Sequence, residues 1–265
     1  MANTGQLWAW LPQARLERNV SLSEHSQLLF QAGILDPVSF MSGDSSGIRA
    51  ASVGERSHRP AVAGRIAWSA PLLGNRMTLG FGRYEGRQDW GTWGTRDSHR
   101  YVNSWVNTLD LDLPITRFVD LTGTYHRGRA IADLGGALGQ NLAVYLLGDV
   151  LSPGDDPTAP LPTLTKGLKT QGGWLQLKIK PLRRFEINVA GGQENPSAAE
   201  MELASSTQDY LGDQLSRNRS YSTNLIFRPR SNLVLSTEYR HLRSYPLAEE
   251  SRSEDHVNIA VGILF

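Results

Sequence analysis

The chain has 265 residues, 27 Lys+Arg against 26 Asp+Glu, and a formal net charge of +1, so its charge gives no reason to expect a nucleic-acid partner. Hydrophobic residues make up 40% and cysteine is absent, which excludes disulfides and cysteine-ligated metals. No run approaches the roughly 18 consecutive apolar residues that a membrane-spanning helix needs, whereas membrane-crossing strands alternate and keep the mean hydropathy polar.

The first residues, MANTGQLWAW, lack the basic start, apolar core and small-residue cleavage site of a secretion signal. From there, alternation of period two recurs to the end of the chain. QARLERNVSL and SQLLFQAGIL are predicted strands around SEH. PAVAGRIAWSAPL and NRMTLGFGRYEG join at LLGN, and YVNSWVNTLDLDLPI runs into RFVDLTGTYHRGR. GGWLQLKIKPL and RRFEINVAGG turn at Pro181-Leu182-Arg183, and YSTNLIFRPR and NLVLSTEYRHL turn at Pro229-Arg230-Ser231. HVNIAVGILF closes a series of about eleven strands.

Tight connections fall near Ser23, Leu73, Ile115, Leu182 and Arg230. Between them lie long ones: DPVSFMSGDSSGIRAASVGERSHR, the stretch from Ala130 to about Gly167, and QENPSAAEMELASSTQDYLGDQLSRN. Strict alternation of short and long puts every short turn at one end of the strands. A soluble β-sandwich shares the alternating faces but has no cause to keep its long loops at one end. The reading is all-β: an antiparallel up-and-down transmembrane β-barrel over residues 1–265, with short periplasmic turns and long extracellular loops. An odd number of strands cannot close such a barrel, so about 12 or more are expected. The further strand would come from residues 1–12, with Trp8 and Trp10 as lipid-facing anchors, from a misread loop, or from sequence preceding this chain.

Alternation assigns faces. Leu175, Leu177 and Ile179, then Phe185, Ile187 and Val189, Leu109, Leu111 and Leu113, Val119, Leu121 and Tyr125, and Leu233, Leu235 and Tyr239 point to lipid. Trp68, Tyr84, Trp105, Tyr221 and Phe227 join Tyr125, Phe185 and Tyr239 near strand ends as aromatic girdles. The opposite face carries Arg15, Glu17, Arg65, Asp110, Asp112, Asp120, His126, Lys178, Lys180, Glu186, Arg228, Glu238 and Arg240. Such side chains line a pore and set its selectivity, or form lateral ion pairs that stiffen the wall. Lys178 and Lys180 make the mouth near Pro181 locally basic. The loop after Ala130 is apolar at Leu142, Val144, Leu146 and Leu147, and either folds into the lumen or packs over the rim or a neighbouring subunit.

Catalytic signals are sparse. His25 sits at a turn, His58, His99 and His256 near loops, and only His126 with Asp120 forms a suggestive pair. There is no GxSxG and no phosphate-binding glycine loop. Asp155-Asp156 fits a turn better than a calcium site. The reading is therefore not an enzyme, and it calls for no cofactor or metal.

Val257, Ile259, Val261, Ile263 and the terminal Phe265 look like the signal read by the outer-membrane assembly machinery. GGWLQLKIKP, QENP, RNRSYSTNLIFRPRSNLVLSTEYRHLRS and DHVNIAVGILF, together with RGRAIADLGGALGQN and RPAVAGRIAWS, resemble the C-terminal part of the DcaP-like porins of Gram-negative bacteria. The resemblance spans most of the chain, and its motifs are structural. It implies an outer-membrane channel, a trimer, that passes small and often anionic solutes by passive diffusion amid outer-membrane lipid and lipopolysaccharide. Such porins are longer, with a signal and an N-terminal coiled coil that this sequence is expected to lack. The alternative is a non-conducting structural or adhesive barrel.

Overall fold

The computed structural model of the chain describes residues 4–7, 9–38, 51–91, 99–146, 163–204 and 214–263. Among them the alternating segments form β1 (Gln13–Ser21), β2 (Gln27–Leu35), β3 (Ala61–Leu72), β4 (Asn75–Asp89), β5 (Tyr101–Thr116) and β6 (Val119–Arg129). The series continues with β7 (Leu142–Leu146), β8 (Thr163–Gly167), β9 (Lys169–Leu182), β10 (Phe185–Pro196), β11 (Leu215–Arg230), β12 (Leu233–Pro246) and β13 (Arg252–Ile263). One short helix, α1 (Ala198–Ala204), follows β10.

Eleven strands make one antiparallel sheet in chain order, with β6 beside β9 because β7 and β8 form a separate two-stranded hairpin. This is an up-and-down arrangement. Among the described residues β1 and β13 are its edges and are not paired with each other.

The sheet is strongly curved, as the segment before β1 requires. Thr4 donates its N–H to Ser220 Oγ on β11, and Pro12 accepts from the Asp36 N–H beside β2. Residues 4–12 reach roughly 30 Å when fully extended. A flat sheet would separate β1 from β11 by about 38 Å at ~4.8 Å per strand. The segment is thus a chord across the concave side. It forms no strand, so the extra strand expected within residues 1–12 is not found among the described ones. Trp10 is 88% exposed, and Trp8 lies outside the described residues.

Turn chemistry sets the register at the short end. Leu72 pairs with Asn75, leaving Leu73 and Gly74 as a two-residue loop with φ of 53° and 79°. Positive φ at both positions is the type I′ geometry that matches the twist of a hairpin. At the other end the strands run further than their alternation signals. Gln193–Pro196, expected as loop, is strand, and β11 starts at Leu215. The β12–β13 connection, residues 247–251, is short although it lies at the long-loop end. The strict alternation of loop lengths therefore fails there.

Candidate functional site

The register puts every described charge proposed as pore-lining on one face. Glu17, Gln31, Arg65, Gly82, Thr108, His126, Gly172, Glu194 and Asn218 form one cross-strand row from β1 to β11. Asp120, Lys178, Asn188, Asn224 and Glu238 form another on β6 to β12. Side chains of directly paired residues share a face. That face is the concave one, because residues 4–12 and 130–141 lie against it. The convex face exposes Leu16, Ile66, Phe81, Leu109, Leu175, Val189, Leu225, Phe227 and Leu235. Tyr84, expected in the aromatic girdle, lies in the concave row of Ala63 and Val106 and is 9% exposed.

The concave charges are mostly coupled laterally. Arg15 lies 3.3 Å from Glu17, which also accepts from Gln31 at 2.9 Å. Arg65 Nε donates to Asp110 Oδ1 at 3.0 Å, with a second contact to Oδ2. Lys180 is 3.9 Å from Asp120, Arg228 is 3.5 Å from Glu186, and Arg240 is 2.8 Å from Glu238. Among the described residues Asp112 and Lys178 have no ion pair. An amide ladder continues the wall: Gln176 to Asn188 (3.0 Å), Asn188 to Asn224 (3.4 Å) and Asn224 to Ser236 (2.8 Å).

Glycine permits two of these couplings. Arg65 on β3 reaches Asp110 on β5 over Gly80 of β4, where a Cβ would overlap both charged groups. Gly172 on β9 sits between His126 on β6 and Glu194 on β10, and a Cβ there would meet the carboxylate and the imidazole.

The His126–Glu194 pair is the most enclosed polar group of the wall, at 0% and 2% exposure. His126 Nε2 lies 3.1 and 3.3 Å from the two Glu194 oxygens, within hydrogen-bond distance of the carboxylate. Glu194 Oε1 accepts from Thr170 Oγ1 at 2.8 Å and from the Ala137 N–H at 2.7 Å. The pairing of His126 with Asp120, suggested by sequence, is not made. The six residues between them on one strand place their Cα atoms roughly 20 Å apart.

Ala137 belongs to the segment that links β6 to β7, two 3-10 turns over Ala132–Leu134 and Ala137–Gly139. Ile131 and Ala137 are fully buried against Ala61, Tyr84 and Val106 of the wall, with Leu7, Leu11 and Leu134 packed alongside. Polar tethers fix the segment: Gln88 and Ser104 donate to the Ala130 carbonyl, and Gln88 and Asn141 donate to Asp133. Ala9 N–H donates to Leu134 O, joining the segment to the crossing chain. Further along, Ala143 packs with Leu168, Met201 of α1 and Leu247. Among the described residues of the loop, Ile131 and Ala137 therefore lie on the concave wall and Ala143 beside α1. Leu147 and Asp155-Asp156 lie outside the described residues.

Sequence reading missed Glu194, Thr170 and Asp133, since each was placed in or beside a loop. The cue was present in Glu194, two residues beyond the alternating run of β10 and in phase with Glu186 and Asn188. Val257, Ile259, Val261 and Ile263 share the convex face of β13, all at least 67% exposed, and Phe265 is outside the described residues. No described group of three His, Cys, Asp or Glu side chains is arranged to hold a metal ion.

No protein-family model matches the chain, and no curated protein matches its sequence. Among solved structures, the outer membrane channel DcaP of Acinetobacter baumannii superimposes with a TM-score of 0.63 at 14% identity. The match covers 100% of this chain and 65% of that one, so the chain spans just under two thirds of DcaP's length. The NanC porin aligns over 96% of this chain and 93% of its own at 8% identity and a TM-score of 0.39. LpxR from Salmonella typhimurium aligns over 95% and 88%, at 10% identity and a TM-score of 0.28. The chain is similar in fold to an outer-membrane channel, DcaP, across its whole described length.

Proposed function

We propose that the chain forms the wall of an outer-membrane channel that passes small hydrophilic solutes by passive diffusion, without catalysis. One observation carries this reading: the same strands present a polar, ion-paired concave face and an apolar, exposed convex face. An apolar surface that large on a chain otherwise polar suits lipid rather than water. Paired charges with Lys178 and Asp112 left open suit a hydrated lumen, whose local fields sort solutes by charge. Lys178, Lys180 and Arg228 lie near the short turns together with Asp112, Asp120 and Glu186, so this mouth carries both signs in balance and gives no preference for anions or cations. Arg15, Glu17, Arg65, Asp110, Asp120, Glu186, Glu238 and Arg240 complete the proposed lining, whereas His126 is fully buried under the 130–141 segment and does not reach the lumen. In the same reading β13, with Phe265 following it in the sequence, is the segment recognised by the assembly machinery, and the protein works as a homotrimer in lipid and lipopolysaccharide.

A second reading rests on the crossing chain. Residues 4–12 and 130–141 occupy the concave side of β3–β6 and β9–β11, as a closed, non-conducting barrel would require. Purified protein in a planar bilayer separates the two. Reproducible open steps that vary with salt support the channel, and silence at high protein dose supports the closed barrel.

A further inference from the structure

On β11 and β12 the convex face changes from apolar to basic as the strands approach the long-loop end. Its positions on β11 run Phe227, Leu225, Thr223, Tyr221, then Arg219 and Arg217. On β12 they run Leu235, Thr237, Tyr239, His241, then Arg243 and Tyr245. Arg219 and Arg243 are direct cross-strand partners, and Arg217 is the partner of Tyr245. Like charges directly opposite one another destabilise a sheet. Here three guanidinium groups gather round one ring, 5.1, 5.8 and 5.2 Å from the Tyr245 centroid for Arg217, Arg219 and Arg243.

No described carboxylate pairs with them, and Glu249 in the adjoining turn is engaged by Arg252. Arg219 donates to the Gln193 amide oxygen, and Arg243 donates to Ser251 Oγ at 2.9 Å. The row is Gln193, Arg219, Arg243 and Ser253, with no carboxylate in it. The nearest convex acid of β13, Asp255, lies one row lower and is engaged by Tyr239 Oη at 2.7 Å and His241 Nδ1 at 2.8 Å. Among the described residues the three arginines form no ion pair.

We propose that Arg217, Arg219 and Arg243, gathered round Tyr245 on the convex face, bind the phosphate-bearing headgroup of an outer-leaflet glycolipid. Guanidinium forks match phosphate oxygens bidentately, and one anion between Arg219 and Arg243 turns their repulsion into attraction. The location selects a lipid over free phosphate. Tyr221, Leu225, Phe227, Leu235 and Tyr239 continue the same face directly below, giving acyl chains an apolar track under the headgroup. The site faces away from the lumen, so it is independent of what the channel conducts. It rests on the reading that the convex face meets an outer membrane with the long-loop end outward.

The test titrates the full chain in detergent with diphosphorylated lipid A, with the same lipid stripped of phosphate, and with inorganic phosphate as competitor. Retained lipid is counted by native mass spectrometry. The parent is expected to hold diphosphorylated lipid A at least tenfold more tightly than the triple variant Arg217→Gln, Arg219→Gln, Arg243→Gln, and more tightly than it holds the stripped lipid. Arg230→Gln at the short-turn end should bind as the parent does, and heat-modifiable gel migration checks that each variant is folded. Equal binding by parent and triple variant, equal binding of stripped lipid, or displacement by millimolar phosphate overturns the proposal. Failure of the membrane reading is a separate result: the folded parent would then not insert into lipid vesicles at all.

Discussion

Leu233, Leu235, Thr237 and Tyr239 form the convex half of β12 near its short turn, whereas His241, Arg243 and Tyr245 form the half near the long loops. The same division runs through the concave side. Toward the short turns Asp120–Lys180 and Glu186–Arg228 are part-exposed pairs on a single-layered wall. Toward the long loops His126 and Glu194 are buried beneath a second layer made by residues 4–12 and 130–141. On β3–β6 and β9–β11 one half of each strand is thus a single layer with an exposed apolar convex face, and the other half is held by packing within the protein. A buried charge stripped of its partner should therefore be costly in the upper half, and a charge on the convex face costly in the lower.

The largest effect is expected in the two-layered half. Gly172→Val places a branched side chain where the Glu194 carboxylate meets the His126 ring, and is expected to abolish the heat-modifiable folded band. Glu194→Ala leaves three polar groups without their partner and should cost about 3 kcal/mol, read as a fall in the temperature at which that band unfolds. In the single-layered half, Leu177→Arg on the convex face should cost about 2–4 kcal/mol and impair insertion into vesicles. Its neighbour Gln176→Arg, on the concave face, gives up the bond to Asn188 but should insert normally and shift ion selectivity. If both behave alike, the two faces are not distinct. Asp110→Asn loosens the Arg65 pair, which is partly solvated, and should alter stability by less than about 1 kcal/mol. It frees a positive charge, so reversal potentials should shift toward anions. Smallest is Leu73→Asn, which relieves a left-handed leucine in the short turn and should raise stability by up to about 1 kcal/mol without altering conductance.

The division also explains what the sequence disclosed. Period-two alternation is a contrast between apolar and polar positions, and it persists while the convex side is apolar. That made the faces of β9 legible from Leu175, Leu177 and Ile179, and those of β12 from Leu233, Leu235 and Tyr239. Above that band Gln171, Gln193, Arg217, Arg219 and Arg243 point outward, both faces become polar, and the signal vanishes although the strands continue. Glu194 was hidden for this reason. Tyr84 was misplaced for another: aromatics near strand ends are as suited to a packed second layer as to a lipid girdle, and position along the strand does not distinguish them. The chord of residues 4–12 left no periodic trace, because its hydrogen bonds go to Ser220 and Leu134 rather than to a ladder.

The central claim is that successive residues of one strand face water and lipid in turn, and the absence of native cysteine makes this directly measurable. Single cysteines placed by Gln176→Cys, Leu177→Cys, Lys178→Cys and Ile179→Cys would be exposed, in the bilayer, to a charged, membrane-impermeant thiol reagent during conductance recording. The account predicts that Gln176→Cys and Lys178→Cys react and step the current down, while Leu177→Cys and Ile179→Cys do not react. Equal reaction at all four positions, or reaction at Leu177→Cys and Ile179→Cys alone, would contradict it.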